Sequence, residues 1–174
     1  YNSSADMKLR ISSLSQILVP KEIPFFSLVS EVNCGLFYLH PKNFMPVEIK
    51  VNLQSLIEQD ACEVVKNTSY DIDEDYVRKC ISSGPSVSLK ENEVLLSYML
   101  VHLNGSIGML FTRETHRRKG LASSIISCLT EKQIRKGSPV FCYIVNQNHG
   151  SKEVFERLGF ERLGSVSWLK YERR

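Results

Sequence analysis

The chain has 174 residues, of which 43% are hydrophobic, 24% charged and 9% aromatic, proportions that are typical of a globular domain and exclude a disordered or fibrous protein. Its net charge of +3 is too small to indicate a nucleic-acid partner. No apolar run approaches the roughly 20 residues that a membrane span requires, so we predict no membrane partner either.

The N-terminal quarter of the chain is irregular, and we predict that it forms a separate segment, 1–45, before a main domain at 46–174. Prolines interrupt the first segment repeatedly, and residues 34–39 are its clearest strand. The regular pattern begins at residues 47–51, where apolar and polar side chains alternate as they do in a half-buried strand.

Two helices and three strands are predicted next. An apolar stripe through residues 56–65 and a second through 73–82, which has acidic residues in its first turn, indicate the helices. The strands are predicted at 86–90, 94–103 and 106–112. Asn104-Gly105 lies between the last two strands and is the strongest short-range signal of a hairpin.

The remaining elements predict a crossover that returns to the sheet. A helix is predicted at 121–135, and the nearly all-apolar run at 140–145 predicts a central strand that is covered on both faces. A short helix at 151–158 and a pair of strands within 160–171 complete the pattern. Strands 106–112 and 140–145 are then parallel, as in a mixed α+β sheet.

The five cysteines predict free thiols in a reducing compartment, because their number is odd and no pair has CxxC spacing. Two lone histidines, His40 and His149, have no partner at ligand spacing, so we predict no metal.

A basic turn at 112–122 joins a strand to a long helix and suits a diphosphate. The start of a helix offers unpaired N–H groups and the positive end of the helix dipole. Gly120 lets a phosphate approach closely, and Ala122 keeps the next contact small. Three cations supply positive charge, Arg117, Arg118 and Lys119. The alternatives are a solvated basic turn, a nuclear-targeting signal or a nucleic-acid patch.

The same turn carries the motif of a known family. Arg117, Gly120 and Ala122 match the [RQ]xxGx[GA] acyl-CoA motif of the Gcn5-related N-acetyltransferases (GNAT). Residues 148–160 resemble the Asn-x-x-Ala/Ser-x-x-x-Tyr/Phe-x-x-x-Gly-Phe stretch that follows the fifth strand in that family. The resemblance implies an α+β fold whose central sheet, mixed but mostly antiparallel, splays between its fourth and fifth strands and is flanked by helices.

A narrower resemblance covers about residues 34–171 and concerns the glycine N-acyltransferase-like branch. It is carried by the strings at 34–39, 81–86 and 116–121 and by the Asp60-Ala61 helix. Members of this branch join an acyl group to glycine or related small amines, and a degenerate N-terminal half precedes their catalytic half. Segment 1–45 is then the end of such a half.

The resemblance implies where acyl-CoA binds. The pantetheine arm is expected in a slot between strands 106–112 and 140–145, where a backbone N–H near the thioester stabilises the oxyanion, an effect worth roughly 3 kcal/mol per donor in other enzymes. The predicted cofactor-binding residues are Leu110, Phe111, Thr112, Arg117, Arg118, Lys119, Gly120, Leu121, Ala122, Ser123, Asn148 and Phe155.

The resemblance also bears on the catalytic groups. The branch is proposed to use a Glu as base, and the aligned residue here is Ser106, a poor base. His102, His116 and Glu114 are the substitutes. Phe155 stands where many GNAT enzymes have a Tyr that protonates the leaving thiolate, a role that Tyr143 can fill instead.

We therefore predict an N-acyltransferase that uses acetyl-CoA or another acyl-CoA and a small amine such as glycine. Two alternatives stay open: a protein or peptide N-acetyltransferase, and an acyl-CoA-binding module that has lost turnover. The expected partners are small molecules, the expected assembly is a monomer or homodimer, and the expected location is the cytoplasm or the mitochondrion.

Overall fold

The computed structural model describes residues 8–13, 23–69 and 72–173, which contain seven strands and four α-helices. The strands are β1 (Lys8–Ser13), β2 (Phe26–Leu39), β3 (Ser86–Glu91), β4 (Val94–Val101), β5 (Ile107–Thr112), β6 (Val140–Val145) and β7 (Glu161–Arg173). The α-helices are α1 (Ala61–Lys66), α2 (Glu74–Ser83), α3 (Leu121–Arg135) and α4 (His149–Arg157). Short 3-10 turns occur at Pro41–Asn43, Glu58–Asp60 and Glu114–His116. The predicted α+β class is confirmed.

The strands form two antiparallel sheets that separate between β5 and β6. One sheet has the order β3-β4-β5 and the other has the order β1-β7-β2-β6. Helix α3 connects β5 to β6, so the crossover exists as predicted. The expected splay between these two strands is complete, because no ladder joins them in the described part of the chain.

Two apolar cores lie on opposite faces of the three-stranded sheet. Met99, Val101 and Ile107 point toward α3 and α4, into a core that includes Ile125 and Leu129. A second core packs α1 and α2 on the other face and is formed by Leu56, Ala61, Val64, Val77, Cys80, Ile81, Leu95, Tyr98 and Leu100. Burial of apolar surface at roughly 25 cal/mol per Å² therefore holds each helical layer on its own side of the sheet.

Most of the predicted elements are found, but four differ. Residues 47–51 form no strand: the Val47 N–H donates to Ser127 Oγ at 3.2 Å, and the first strand-like pairing is the bridge between Gln54 and Ser88. The alternating pattern indicates two faces but supplies no partner strand. The predicted pair of strands at 160–171 is one long strand, β7, and the helix expected through 56–65 is shortened to α1.

The prediction that residues 140–145 form a central strand is also wrong, because β6 lies at the edge of its sheet. Its even-numbered side chains are buried against α3 and α4, whereas Phe141, Tyr143 and Val145 are half-buried on the other face. Tyr143 and Val145 line the space between the sheets, and β6 forms one wall of a slot there.

Strand β2 lies between β6 and β7 and pairs with both. Ser167 Oγ donates to Asn33 Oδ1 at 2.6 Å across the β2–β7 pair. The proposed division of the chain at residue 45 stays a prediction, and within the structure β2 is an interior strand of the sheet that borders the slot.

Candidate active site

The basic turn between β5 and α3 is held in place by its own polar side chains. Arg113 reaches back to α1 and β4, where it binds Glu63 and the Leu95 carbonyl, each at 2.7 Å. Arg117 donates from Nε to the Thr112 carbonyl at 3.1 Å and forms an ion pair with Glu114 at 3.3 Å. The predicted phosphate ligand Arg117 is thus folded onto the turn.

The start of α3 is open for an anion. Gly120 has φ of +78° and offers no side-chain cap, and the first intrahelical bond joins the Ser124 N–H to the Gly120 carbonyl at 3.1 Å. The N–H groups of the first helical residues therefore have no partner within the helix, at Leu121, Ala122 and Ser123. A Cβ on Gly120 would find no atom of the described residues within 4 Å, so the space beside this glycine is open in that part of the chain.

Two exposed cations flank this opening, Arg118 and Lys119. Arg118 has φ of +59°, a left-handed conformation that costs a non-glycine residue of order 1–3 kcal/mol and persists where the surroundings impose it. N–H groups without a partner in the helix, the helix dipole and two cations are together an arrangement that suits a polyanion such as a diphosphate. The turn predicted from the sequence has the expected placement.

A slot lies between β5 and β6, the two strands that α3 connects. It encloses about 200 Å³. Its walls are formed by Ile107, Gly108, Met109, Leu110 and Phe111 of β5, by Cys142, Tyr143, Ile144 and Val145 of β6, by Tyr98 and Met99 of β4, by Asn67, Thr68 and Ser69 after α1, and by Asn148, Ser151 and Phe155. Four predicted cofactor-binding residues, Leu110, Phe111, Asn148 and Phe155, are thereby brought together.

A β-bulge in β5 interrupts the strand in the middle of the slot. Tyr98 pairs with Phe111 and Leu100 pairs with Gly108, so β5 has one more residue than β4 across this interval. Met109 within it has φ of +52°. A bulge leaves backbone groups outside the ladder and redirects them. Sequence reasoning missed the bulge, since methionine carries no signal for a left-handed conformation.

Asn148 and Phe155 are held on α4, which follows β6. Asn148 lines the slot and caps the helix by accepting a hydrogen bond from the Ser151 N–H at 3.1 Å, so its Oδ1 is engaged and its amide nitrogen is the remaining donor. Phe155 is 3% exposed and packs edge-to-face on Phe160. Its ring supplies an apolar surface at the slot wall.

Thr112, at the end of β5, is hydrogen-bonded to Ser97, whose Oγ lies 2.8 Å from Thr112 Oγ1.

Two phenols and a thiol line the slot. Burial raises the pKa of the Tyr98 hydroxyl, which donates to the Val64 carbonyl at 3.4 Å. Tyr143 packs edge-to-face on Trp168. Burial also raises the pKa of the Cys142 thiol. Because the thiolate is the nucleophilic form of cysteine, Cys142 is not set up as a nucleophile at neutral pH.

The three predicted catalytic residues lie in different places. Ser106 is 1% exposed, and its hydroxyl donates to Asn104 Oδ1 at 2.7 Å within the β4–β5 hairpin. His116 bonds Thr115 Oγ1 at 2.9 Å in the basic turn. Neither residue lines the slot.

His102 does not line the slot either, but its ring lies against Gly108, a residue of the slot wall. A Cβ built on Gly108 would be 2.4 Å from His102 Nε2. The ring is not the surface group that a lone histidine on a hairpin suggests, since burial lowers its pKa and Nδ1 is 3.1 Å from the Tyr76 hydroxyl. Tyr76 was not predicted, and no local pattern links it to a residue 26 positions away.

Comparison with known proteins supports this description of the fold. Residues 87–169 match the sequence model of the family described as FR47-like protein. A putative GNAT acetyltransferase from Novosphingobium aromaticivorans superimposes with a TM-score of 0.78 at 13% identity, over 97% of this chain and 75% of that one. A Drosophila protein superimposes with a TM-score of 0.75 at 16% identity, over 81% of this chain. The match covers about half (51%) of the length of that protein.

A third structure, described as a putative acetyltransferase from Salmonella typhimurium with its cofactor acetyl-CoA, gives a TM-score of 0.54 at 15% identity, over 71% of this chain and 94% of that one. No curated protein sequence matches this chain. At these identities the likeness establishes the fold, which is that of the GNAT acetyltransferases.

No group of three or more His, Cys, Asp or Glu side chains in the described part of the chain is placed to hold a metal ion. Across the same ranges, no helix has both the length and the apolar character to cross a bilayer.

Proposed function

We propose that the protein transfers an acyl group from an acyl-CoA thioester to the amine of a small acceptor. The observation that carries this proposal is the combination of two features that share strand β5: an open helix start that follows the strand through the basic turn, and a slot that the strand lines together with β6. A ligand with a charged diphosphate and a narrow, uncharged arm ending in a reactive group matches both.

Different residues of the chain bind different parts of acyl-CoA. The N–H groups of 121–123 and the side chains of Arg118 and Lys119 hold the diphosphate, and Gly120 gives it room. Exposed backbone of β5 around Phe111 and the amide of Asn148 bind the arm. Acyl-CoA supplies a thioester carbonyl that an amine attacks directly.

During attack on this carbonyl, residues in and beside the slot stabilise the developing charge and accept or donate the protons that move. As the amine nitrogen bonds to carbon, the oxygen gains negative charge, which a backbone N–H of the β5 bulge stabilises. His102 accepts the proton that the nitrogen loses. The carbon–sulfur bond then breaks, and the thiolate takes a proton from Tyr143, because the hydroxyl of the other phenol, Tyr98, is bound to the Val64 carbonyl.

The acceptor is glycine or a related small amine in this proposal. The cavity of about 200 Å³ is shared between the acyl end and the acceptor, which favours a small molecule. Asn67, Thr68 and Ser69 give its wall on the α1 side polar side chains, whereas β6 gives an aromatic one. Peptide acetylation would instead need an open groove for the flanking residues.

A second candidate, a module that binds acyl-CoA without turnover, is favoured by two observations. Ser106, which takes the place of the base in the resembling branch, is enclosed in its turn. Phe155 has no hydroxyl to offer a thiolate. His102 is the residue that distinguishes an enzyme from such a module.

The test is mass-spectrometric detection of amide product from acetyl-CoA and a longer acyl-CoA with a panel of amino acids, polyamines and peptides. We expect N-acylated glycine or another small N-acyl amine, and no product from the variant His102→Gln. Acyl-CoA binding without product from any amine would establish the binding module. Products from peptides alone would replace the small-amine acceptor.

A further inference from the structure

A segment with the sequence pattern of a strand lacks a partner strand in the described part of the chain. Residues 47–51 alternate apolar and charged side chains, yet they belong to neither sheet. The Val47 N–H donates to Ser127 Oγ on α3. Apart from this bond, the backbone of residues 47–51 makes no hydrogen bond to any described residue. Its remaining N–H and C=O groups are therefore available to pair with another chain, as they are at the edge of a sheet.

The same segment is exposed to solvent. Val47 and Ile49 each have 37% of their surface exposed, and Met45 before them has 55% exposed. Glu48 and Lys50 form an ion pair at 3.2 Å, and more than three quarters of each side chain is exposed. Side chains two residues apart meet in this way on one face of an extended chain, so the apolar side chains lie on the other face. The segment thus has one charged face and one apolar row that solvent reaches.

The order of residues in this segment is self-complementary. A charged residue and then a valine stand on each side of Ile49, namely Glu48 and Val47 before it and Lys50 and Val51 after it. When two copies lie antiparallel with Ile49 opposite Ile49, Glu48 of each copy faces Lys50 of the other. Opposite charges directly across a strand pair stabilise it, and like charges destabilise it. Centring the pair on Glu48 or on Lys50 instead sets that residue opposite its own copy, so the charges specify the register.

The orientation of the backbone agrees with this register. In an extended chain, the N–H and C=O groups of successive residues point to opposite sides. The Val47 N–H points toward α3, so the corresponding groups of Glu48 and Lys50 point away from α3, to the free edge. In the antiparallel pair, Glu48 and Lys50 are then the residues that exchange N–H···O bonds across the two copies. Ile49 takes a position without hydrogen bonds, where facing side chains come closest.

We propose that residues 47–51 form a homodimer interface, in which a second copy of this chain adds its own residues 47–51 as an antiparallel strand. The interface is isologous, because each copy contributes the same segment about a two-fold axis. Val47 of one copy lies opposite Val51 of the other, so the two apolar rows cover each other. Pro46 has no N–H to donate and ends the pairing at Val47. This interface is separate from the slot and does not depend on the reaction that the protein catalyses.

The test is sedimentation velocity over a series of protein concentrations, with charge-swapped variants. The wild type should form a dimer whose fraction rises with concentration. Glu48→Lys sets two lysines opposite each other and Lys50→Glu sets two glutamates opposite each other, so each variant should raise the dimer Kd about tenfold. Both substitutions in one chain restore opposite charges and should restore the wild-type Kd. An equimolar mixture of the two single variants should also dimerise, because lysines of one chain then face glutamates of the other.

The matched control is Lys136→Glu, which makes the same charge change as Lys50→Glu at an exposed position after α3 and should leave the dimer Kd unchanged. Circular dichroism of every variant verifies that it is folded. A wild type that stays monomeric at the highest concentration refutes the proposal. A dimer with the same Kd in the wild type and in Glu48→Lys also refutes it, because another surface then forms the contact. Single variants that fail to dimerise when mixed contradict the antiparallel register.

Discussion

The two ends of α3 offer a matched pair of glycines for testing the anion site. Gly120 precedes the helix with φ of +78°, and Gly137 follows it with φ of +67°. A Cβ on either residue meets no atom within 4 Å. Replacing each by alanine therefore adds backbone strain without a clash, and we expect both variants to lose about 1–2 kcal/mol of unfolding free energy.

The two variants should differ when acyl-CoA is present. A ligand at 100 times its Kd stabilises the folded state by about 2.7 kcal/mol. Gly137→Ala should keep that increment because the C-terminal end of α3 touches no phosphate. Gly120→Ala places a methyl group where the diphosphate approaches, and a tenfold loss of affinity would reduce the increment to about 1.4 kcal/mol.

Urea denaturation with and without acetyl-CoA measures all four quantities, and titration calorimetry gives Kd directly. The ligand-free curves serve as the control for strain, since the two alanines should cost the same. Equal stabilisation of both variants by acetyl-CoA would show that the opening at Gly120 is not the phosphate site, and the proposed function would lose its main support.

Three other outcomes follow from the structure. Gly108→Ala should displace the His102 ring and abolish most turnover while acyl-CoA still binds, as isothermal titration and product assays will show; normal turnover would contradict the assigned base. Because burial lowers the pKa of His102, kcat should rise with pH through that lowered pKa and level off by neutrality. The contribution of the buried neutral ring to the free energy of unfolding should be complete above pH 6.5 and should fall as the pH drops below that value. A kcat that still rises above pH 8 points to another base. Lys90→Met should cost about 3–5 kcal/mol in urea denaturation because it leaves Asp60, its partner at 2.7 Å, buried without a cation, whereas the exposed control Lys50→Met should change stability by less than about 0.5 kcal/mol.

The parts of the site that lie close together in sequence were predictable. The basic turn, Gly120 and the start of α3 are one continuous segment between a strand and a helix, so composition and spacing were enough. Asn148 and Phe155 were placed by a second local motif. In each case the geometry is that of one short stretch of backbone, so the residue types in that stretch are enough to predict it.

The parts that were missed depend on contacts between distant segments. The bonding of Tyr76 to His102 joins α2 to a hairpin, and the bulge at Met109 is defined by pairing with β4. Residues 47–51 were predicted as a strand and form none, for a related reason. A period of two specifies which side chains share a face, but a strand forms only where a neighbouring strand edge has free backbone groups.

The position of β2 has a consequence for how the chain reaches its folded state. Asn33 meets Ser167 across 134 positions, so the β2–β7 pair closes a loop that contains most of the domain. Pairings of such long range slow folding. During synthesis β2 can pair with β6 first, but its other edge stays exposed until residues 161–173 emerge. A chain stopped before β7 therefore presents an unprotected strand edge, and its expected fate is aggregation.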